Sequence, residues 1–163
     1  MQEFSCPRNL DVENFLKQDN KAIRFEETDN ARTYLILDEE SGDILAYFSM
    51  SFKELLLSDK KLSKTTIKQM DGITKNAEKI RAFLIGQIGK NSSVEDNPIE
   101  LQHILDEIYE VIAAARALIG GRIIMLECDN NLSLISYYEK HGFRLIDTDE
   151  PGYRTMYTYV AEA

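Results

Sequence analysis

The chain has 163 residues, 44% apolar and 29% charged, with a formal charge of −9. That is the size and make-up of one folded domain rather than a disordered tail. The acidic balance argues against a default nucleic-acid binder, and no apolar run approaches the roughly 20 residues that cross a bilayer. Met1 to Arg8 lacks the basic-then-apolar layout of a secretion signal. Cys6 and Cys128 stand far apart, and with two histidines they form no metal-ligand pattern, so no metal site is expected. A reducing cytoplasm is the compartment that fits.

No internal repeat or linker interrupts the chain, which reads as a single domain over 1–163. Leu10 to Gln18 carries Leu10, Val12, Phe15 and Leu16 at near-helical spacing. Thr33–Asp38 and Ile44–Phe52 read as two strands joined by the turn Glu39–Asp43, an antiparallel hairpin. Residues 53–78 are polar, with Gly72 as a break, and read as a surface excursion with helical pieces. Their cluster of Lys53, Lys60, Lys61, Lys64, Lys68 and Lys75 is either a solvated surface or a nucleic-acid face.

From Ile80 to Ile88 the chain is densely apolar, as a central buried strand would be. A long helix is expected next, with Asn97 as its cap, Pro98 at the first position and Glu100 at the third. Its buried face would run from Leu101 through Ile104, Leu105, Ile108 and Ile112 to Ile119. Gly120 and Gly121 close it. Arg122–Cys128 is a buried strand, Asp129-Asn130-Asn131 its exit and a cap, Leu132–His141 a short helix, and Phe143–Ile146 and Tyr153–Val160 two last strands. Helices interleaved with strands on a mixed sheet define an α/β (α+β) architecture.

Two stretches carry chemical signal. The junction from Gly86 to Pro98 leads into a helix N-terminus, where unpaired N–H groups suit a pyrophosphate. Gly89 would permit close backbone approach, and Lys90, Asn91, Ser92 and Ser93 can donate hydrogen bonds; an ordinary capped loop has the same composition. The second stretch, Asn131 to Phe143 (NLSLISYYEKHGF), is more specific.

This second stretch resembles the N-x6-Y-E-K-x-G-F element of GNAT acyltransferases. Phe4-Ser5-Cys6, Phe15-Leu16-Lys17 and the strand pair from Ala31 to Met50 are similar to a GNAT subgroup that includes toxins acetylating aminoacyl-tRNA. The resemblance spans nearly the whole chain. It implies a GNAT-like mixed, mostly antiparallel central sheet flanked by helices, with acetyl-CoA as co-substrate and no metal. It also implies roles. Tyr138 falls where the family protonates the departing thiolate, although core packing also suits a tyrosine there. Asn131 matches an asparagine that binds pantetheine or caps the short helix. Ile88, Gly89 and Lys90 fall where strand backbone groups hold the acetyl carbonyl and pantetheine amides. Asn91, Ser92, Ser93 and Asn97 belong to the pyrophosphate loop.

The loop departs from the family pattern. Ser92 to Pro98 has no glycine and contains Glu95 and Asp96, which would repel a pyrophosphate if they faced it. Glu127 is the best-placed carboxylate for a general base, or else faces solvent or pairs with Arg122 or Arg144. The expected reaction moves an acetyl group from acetyl-CoA to a primary amine by direct attack. Candidate acceptors are a small molecule, a peptide end or, through the lysine-rich stretch, aminoacyl-tRNA. A non-catalytic binding module is the alternative, and a homodimer through C-terminal strand edges is compatible with either.

Overall fold

The computed structural model describes residues 3–18, 20–149 and 151–163. In chain order the elements are α1 (Leu10–Lys17), α2 (Ala22–Glu27), β1 (Arg32–Leu37), β2 (Ile44–Leu56), α3 (Lys64–Asp71), β3 (Lys79–Lys90) and α4 (Leu101–Ile119). Then come β4 (Ile123–Cys128), α5 (Leu132–Glu139), β5 (Arg144–Leu145) and β6 (Arg154–Tyr159). The six strands form one mostly antiparallel sheet in the order β1-β2-β3-β4-β6-β5. Two compact units are distinguished, Met1–Ser51 with Ile85–Ile108, and Phe52–Leu84 with Tyr109–Ala163.

In the first unit, β1 and β2 form the expected hairpin, with Arg32 opposite Met50 and Leu37 opposite Ile44. Asn9 caps α1 by accepting from the Asp11 and Val12 N–H groups. The helix buries Val12 and Leu16 against Phe4, Ala22 and Tyr47. Tyr47 is fully buried. Its hydroxyl donates to the Val12 carbonyl at 2.5 Å, and burial pushes its pKa far above the ordinary phenol value. The sequence reading leaves α2 out, because six residues are too short to display a helical period.

In the second unit, β6 lies antiparallel to β4, with Ile123 opposite Tyr159 and Cys128 opposite Arg154. Behind them Leu55, Leu57, Ile67, Met70, Ile80, Ala82, Ile123, Met125, Ile146 and Tyr157 form one core. The excursion over 53–78 is therefore less of a surface feature than its polarity suggests. Its first residues extend β2 to Leu56, and α3 buries Ile67 and Met70. The strand expected over Phe143–Ile146 shrinks to the two residues of β5. Beyond it the chain is drawn toward residues 60–61, where the Lys61 N–H donates to Asp147 O at 2.9 Å and Lys60 bridges to Thr148.

The largest departure is the start of α4. The helix begins at Leu101, not at Pro98, and its first intrahelical bond runs from Ile104 N–H to Glu100 O at 3.3 Å. Asn97 does not cap it. The Asn97 amide instead donates to Leu45 O at 2.8 Å and Asn91 O at 2.9 Å, and its carbonyl accepts from the Ile99 N–H at 3.0 Å. With that side chain committed to β2 and the end of β3, the helix starts only after Glu100, whose N–H donates to Nδ1 of His103 at 3.0 Å.

Candidate functional site

The residues singled out from the sequence fall into two sets, one in each unit. The first lies at the end of β3 and in the loop leading to α4. Ile88 is half-buried, Gly89 buried and Lys90 exposed. Close approach at Gly89 comes from the chain itself: a Cβ there would stand 2.6 Å from Val12, 2.7 Å from Tyr47 and 3.0 Å from Phe4. The absent side chain is thus explained by packing of the N-terminal segment on β3. The Lys90 ammonium reaches back to Asn97 O at 2.9 Å.

Asn91 is buried, and both polar atoms of its side chain are bonded to the chain. Its Oδ1 accepts from Ser5 N at 2.9 Å and Ser93 N at 3.0 Å, and its Nδ2 donates to Ile44 O at 2.7 Å. The Ser92 N–H donates to Ser5 O at 2.7 Å. Ser93 Oγ lies 2.6 Å from Glu3 O. Glu95 and Asp96 are exposed and, among the described residues, lack an ion-pair partner. Asp96 takes the left-handed turn itself, with φ of 51°, a conformation aspartate tolerates better than most side chains. At the head of α4 the N–H groups of Leu101, Gln102 and His103 have no acceptor among the described residues. Those three N–H groups, together with the helix dipole, make the head of α4 locally positive. The sequence reading missed them because Pro98 fits a first helical position so well.

The second set lies at the end of β4 and on α5. Asn131 caps α5 through Oδ1, which accepts from Ser133 N at 2.9 Å and Leu134 N at 3.2 Å. Tyr138 is the penultimate residue of α5, half-buried, with its ring edge-on to Phe143 at 5.9 Å between centroids. Its hydroxyl has no hydrogen-bond partner among the described residues. Burial, with smaller contributions from Cys128 and Tyr137, pushes its pKa up to about 12. Burial also raises the Cys128 thiol above its ordinary value, so it stays protonated and inert near neutrality.

Glu127 is exposed on β4 and pairs with Lys53 at 2.5 Å. Neither arginine considered for it is its partner: Arg122 donates to Gln69 O, and Arg144 pairs with Glu162 at 2.8 Å. The same pairing thins out the lysine-rich stretch. Lys53, Lys60 and Lys61 rest on Glu127, Asp59 and Asp149, so three of the six cations are matched by carboxylates. Among the described residues no cluster of His, Cys, Asp or Glu is arranged to hold a metal, and no helix is long and apolar enough to cross a membrane. A cavity of about 530 Å³ opens in the second unit between Phe52, Arg81, Phe83, Ile119 and Gly121. None of the predicted site residues lines it.

No protein-family model matches the chain, and a search of curated proteins returned no match. Solved structures do match. AtaT complexed with acetyl-methionyl-tRNAfMet superposes with a TM-score of 0.76 at 15% identity, covering 99% of this chain and 88% of the other. A tyrosine-to-phenylalanine mutant of KacT gives 0.76 at 16% identity, covering 98% and 86%. A mutant AtaT toxin bound to acetyl-CoA and the C-terminus of the antitoxin AtaR gives 0.71 at 13% identity, covering 99% and 86%. The fold is the one seen in AtaT and KacT.

Proposed function

We propose that the chain is an acetyl-CoA-dependent N-acetyltransferase working as one GNAT-like domain, and that its acceptor is the α-amino group of an aminoacyl-tRNA. The observation that carries this reading is the unpartnered hydroxyl of Tyr138 on α5, in a fold shared with AtaT. The resemblance of the Asn131–Phe143 element to the GNAT motif supports it further. The acceptor class draws support from the neighbour that holds acetyl-methionyl-tRNAfMet, and an antitoxin-like protein partner from the neighbour that holds the AtaR C-terminus.

In this reading the donors of Leu101, Gln102 and His103 and the Lys90 ammonium hold the pyrophosphate, and strand amides near Ile88 and Gly89 hold the pantetheine and acetyl carbonyl. The Asn131 Nδ2, which the cap leaves free, is a further donor. The acceptor's neutral amine attacks the acetyl carbon, so an N–C bond forms as the C–S bond breaks. The amine's surplus proton leaves to Glu127 or to water, and Tyr138 donates a hydrogen bond to the departing sulfur. Glu127 is already engaged in an ion pair with Lys53, so water is the better acceptor.

Acetyl-CoA added to purified protein and charged initiator tRNA should release free CoA and yield N-acetylaminoacyl-tRNA by mass. Expression should arrest growth, and Tyr138→Phe should relieve the arrest. Acetylation confined to small amines would replace the tRNA acceptor with a metabolite. Absence of acetyl-CoA binding would favour the non-catalytic module that Glu95 and Asp96 suggest.

The two acids give a separate test. At about 7 Å in water one pair of unit charges is worth roughly 0.6 kcal/mol, and the pyrophosphate carries more than one. Glu95→Gln with Asp96→Asn should tighten acetyl-CoA binding about threefold to tenfold at low salt by calorimetry. The gain should shrink at 0.5 M salt, where the screening length falls to roughly 4 Å. An unchanged affinity at low salt would mean that these side chains face away from the ligand.

A further inference from the structure

We propose that Asn91 is a positioning residue for the acetyl-CoA loop: it contributes no ligand contact and instead sets the course of residues 92–100 and hence the aim of the donors at the head of α4. The proposal rests on the reading of that loop as a pyrophosphate site.

Asn91 is 3% exposed and lies at a three-way junction. Its backbone N–H donates to Leu45 O at 2.8 Å and its Nδ2 to Ile44 O at 2.7 Å, which fastens the end of β3 to β2. Its Oδ1 accepts from Ser5 N and Ser93 N, which fastens the N-terminal arm and the loop to the same point. Two N–H donors saturate that oxygen. The Ser93 hydroxyl stands between two acceptors, 2.7 Å from the same oxygen and 2.6 Å from Glu3 O. Asn97 closes the far side by donating to Asn91 O and Leu45 O.

The Asn91 side chain is buried and both its oxygen and its nitrogen are bonded to the chain, yet the N-terminal arm, β2 and the loop before α4 are all tied to it. The loop contains no glycine between Asn91 and Leu101. Its course is held by these side-chain amides, with Asp96 alone taking a left-handed turn. A loop held this way loses little entropy when a ligand binds, whereas a loose one must be ordered at the cost of affinity. Asn91 acts through the backbone of its neighbours.

The test compares two acetyl donors. Acetyl-CoA uses the pyrophosphate loop; S-acetylpantetheine, which lacks the nucleotide, does not. Asn91→Ala should raise KM for acetyl-CoA tenfold or more and leave kcat within about threefold, because Tyr138 and β4 are untouched. Its KM for S-acetylpantetheine should change less than threefold. Asn91→Asp keeps the volume but sets an oxygen against Ile44 O, and should reproduce the split. Ser93→Ala, which removes the hydroxyl at Glu3 O and Asn91 Oδ1 but keeps the Ser93 N–H bond, should give a smaller change of the same kind and guards against an Asn91 variant that does not fold.

Folded variants with acetyl-CoA KM within twofold of wild type would overturn the proposal. So would equal losses for both donors, the mark of general destabilisation. If the wild type uses neither donor and binds no acetyl-CoA, the acetyltransferase reading itself fails, and Asn91 is then a structural residue only.

Discussion

Replacing Tyr138 with phenylalanine should slow acetyl transfer about 10-fold to 100-fold while leaving acetyl-CoA affinity within about twofold. The size follows from the chemistry of the phenol. With its pKa pushed up to about 12, the hydroxyl remains protonated at any working pH. It is also a poor acid toward sulfur, because a thiolate has a conjugate-acid pKa near about 8.5 and will not strip a proton from so weak an acid. What Tyr138 can supply is a charge-assisted hydrogen bond to the sulfur as negative charge develops, worth roughly 1.5–3 kcal/mol. Loss of that bond corresponds to the stated range, well short of a full general-acid effect of up to about 10⁴.

The pH profile separates the two roles. If Tyr138 only donates a hydrogen bond, wild type and Tyr138→Phe should trace parallel curves from pH 6 to pH 10, offset by a constant factor. A limb between those limits that disappears in the variant would show that Tyr138 titrates there and carries the proton. The same burial links to stability. The unfolded chain releases this proton near pH 10 and the folded chain nearer 12. The contribution to stability is therefore whole below pH 10 and is lost as pH climbs toward 12.

Gly121→Ala should be strongly destabilising although it lies outside the candidate site. Two independent causes act on it. Its φ is 132°, where an L side chain is strained, and a Cβ would stand 2.3 Å from Cε2 and 2.6 Å from Cζ of Phe83, a ring only 4% exposed. Backbone strain costs about 1–3 kcal/mol and overpacking a further 1–3 kcal/mol. At roughly 2–4 °C per kcal/mol for a chain of this size, the melting temperature should fall by about 5–15 °C. Gly120→Ala is the control. Gly120 is also left-handed, with φ of 76°, but a Cβ there meets nothing within 4 Å. It should cost only the roughly 1–2 kcal/mol of the backbone term. Equal melting temperatures for the two variants would show that Phe83 yields freely and that packing at the end of α4 is loose.

The reading of the site depended on which residues carry a local signature. The Asn131–Phe143 element is contiguous, and a helix cap and a helix place Asn131 and Tyr138 whatever the rest of the chain does. The pyrophosphate loop has no such autonomy. Asn91 and Ser93 look like ligand donors in sequence because they are polar and near a helix start. Their hydrogen bonds go instead to Ser5, Glu3 and Ile44, residues that are 47 to 90 positions away. Glu127 similarly finds Lys53, 74 positions earlier, in preference to the nearer arginines.

By itself the sequence determined the order of the strands, the hairpin, the long amphipathic helix closed by Gly120 and the α5 cap, because each rests on periodicity, turn chemistry or capping within a few residues. It also carried the likeness to GNAT acyltransferases, through one continuous motif. Only the tertiary structure decided where α4 begins, why Gly89 lacks a side chain, how the lysines are neutralised and which donors at the loop remain free. Each of those outcomes depends on a partner brought close by folding, and a polar side chain does not advertise in advance whether its hydrogen bonds will go to a ligand or to a distant strand.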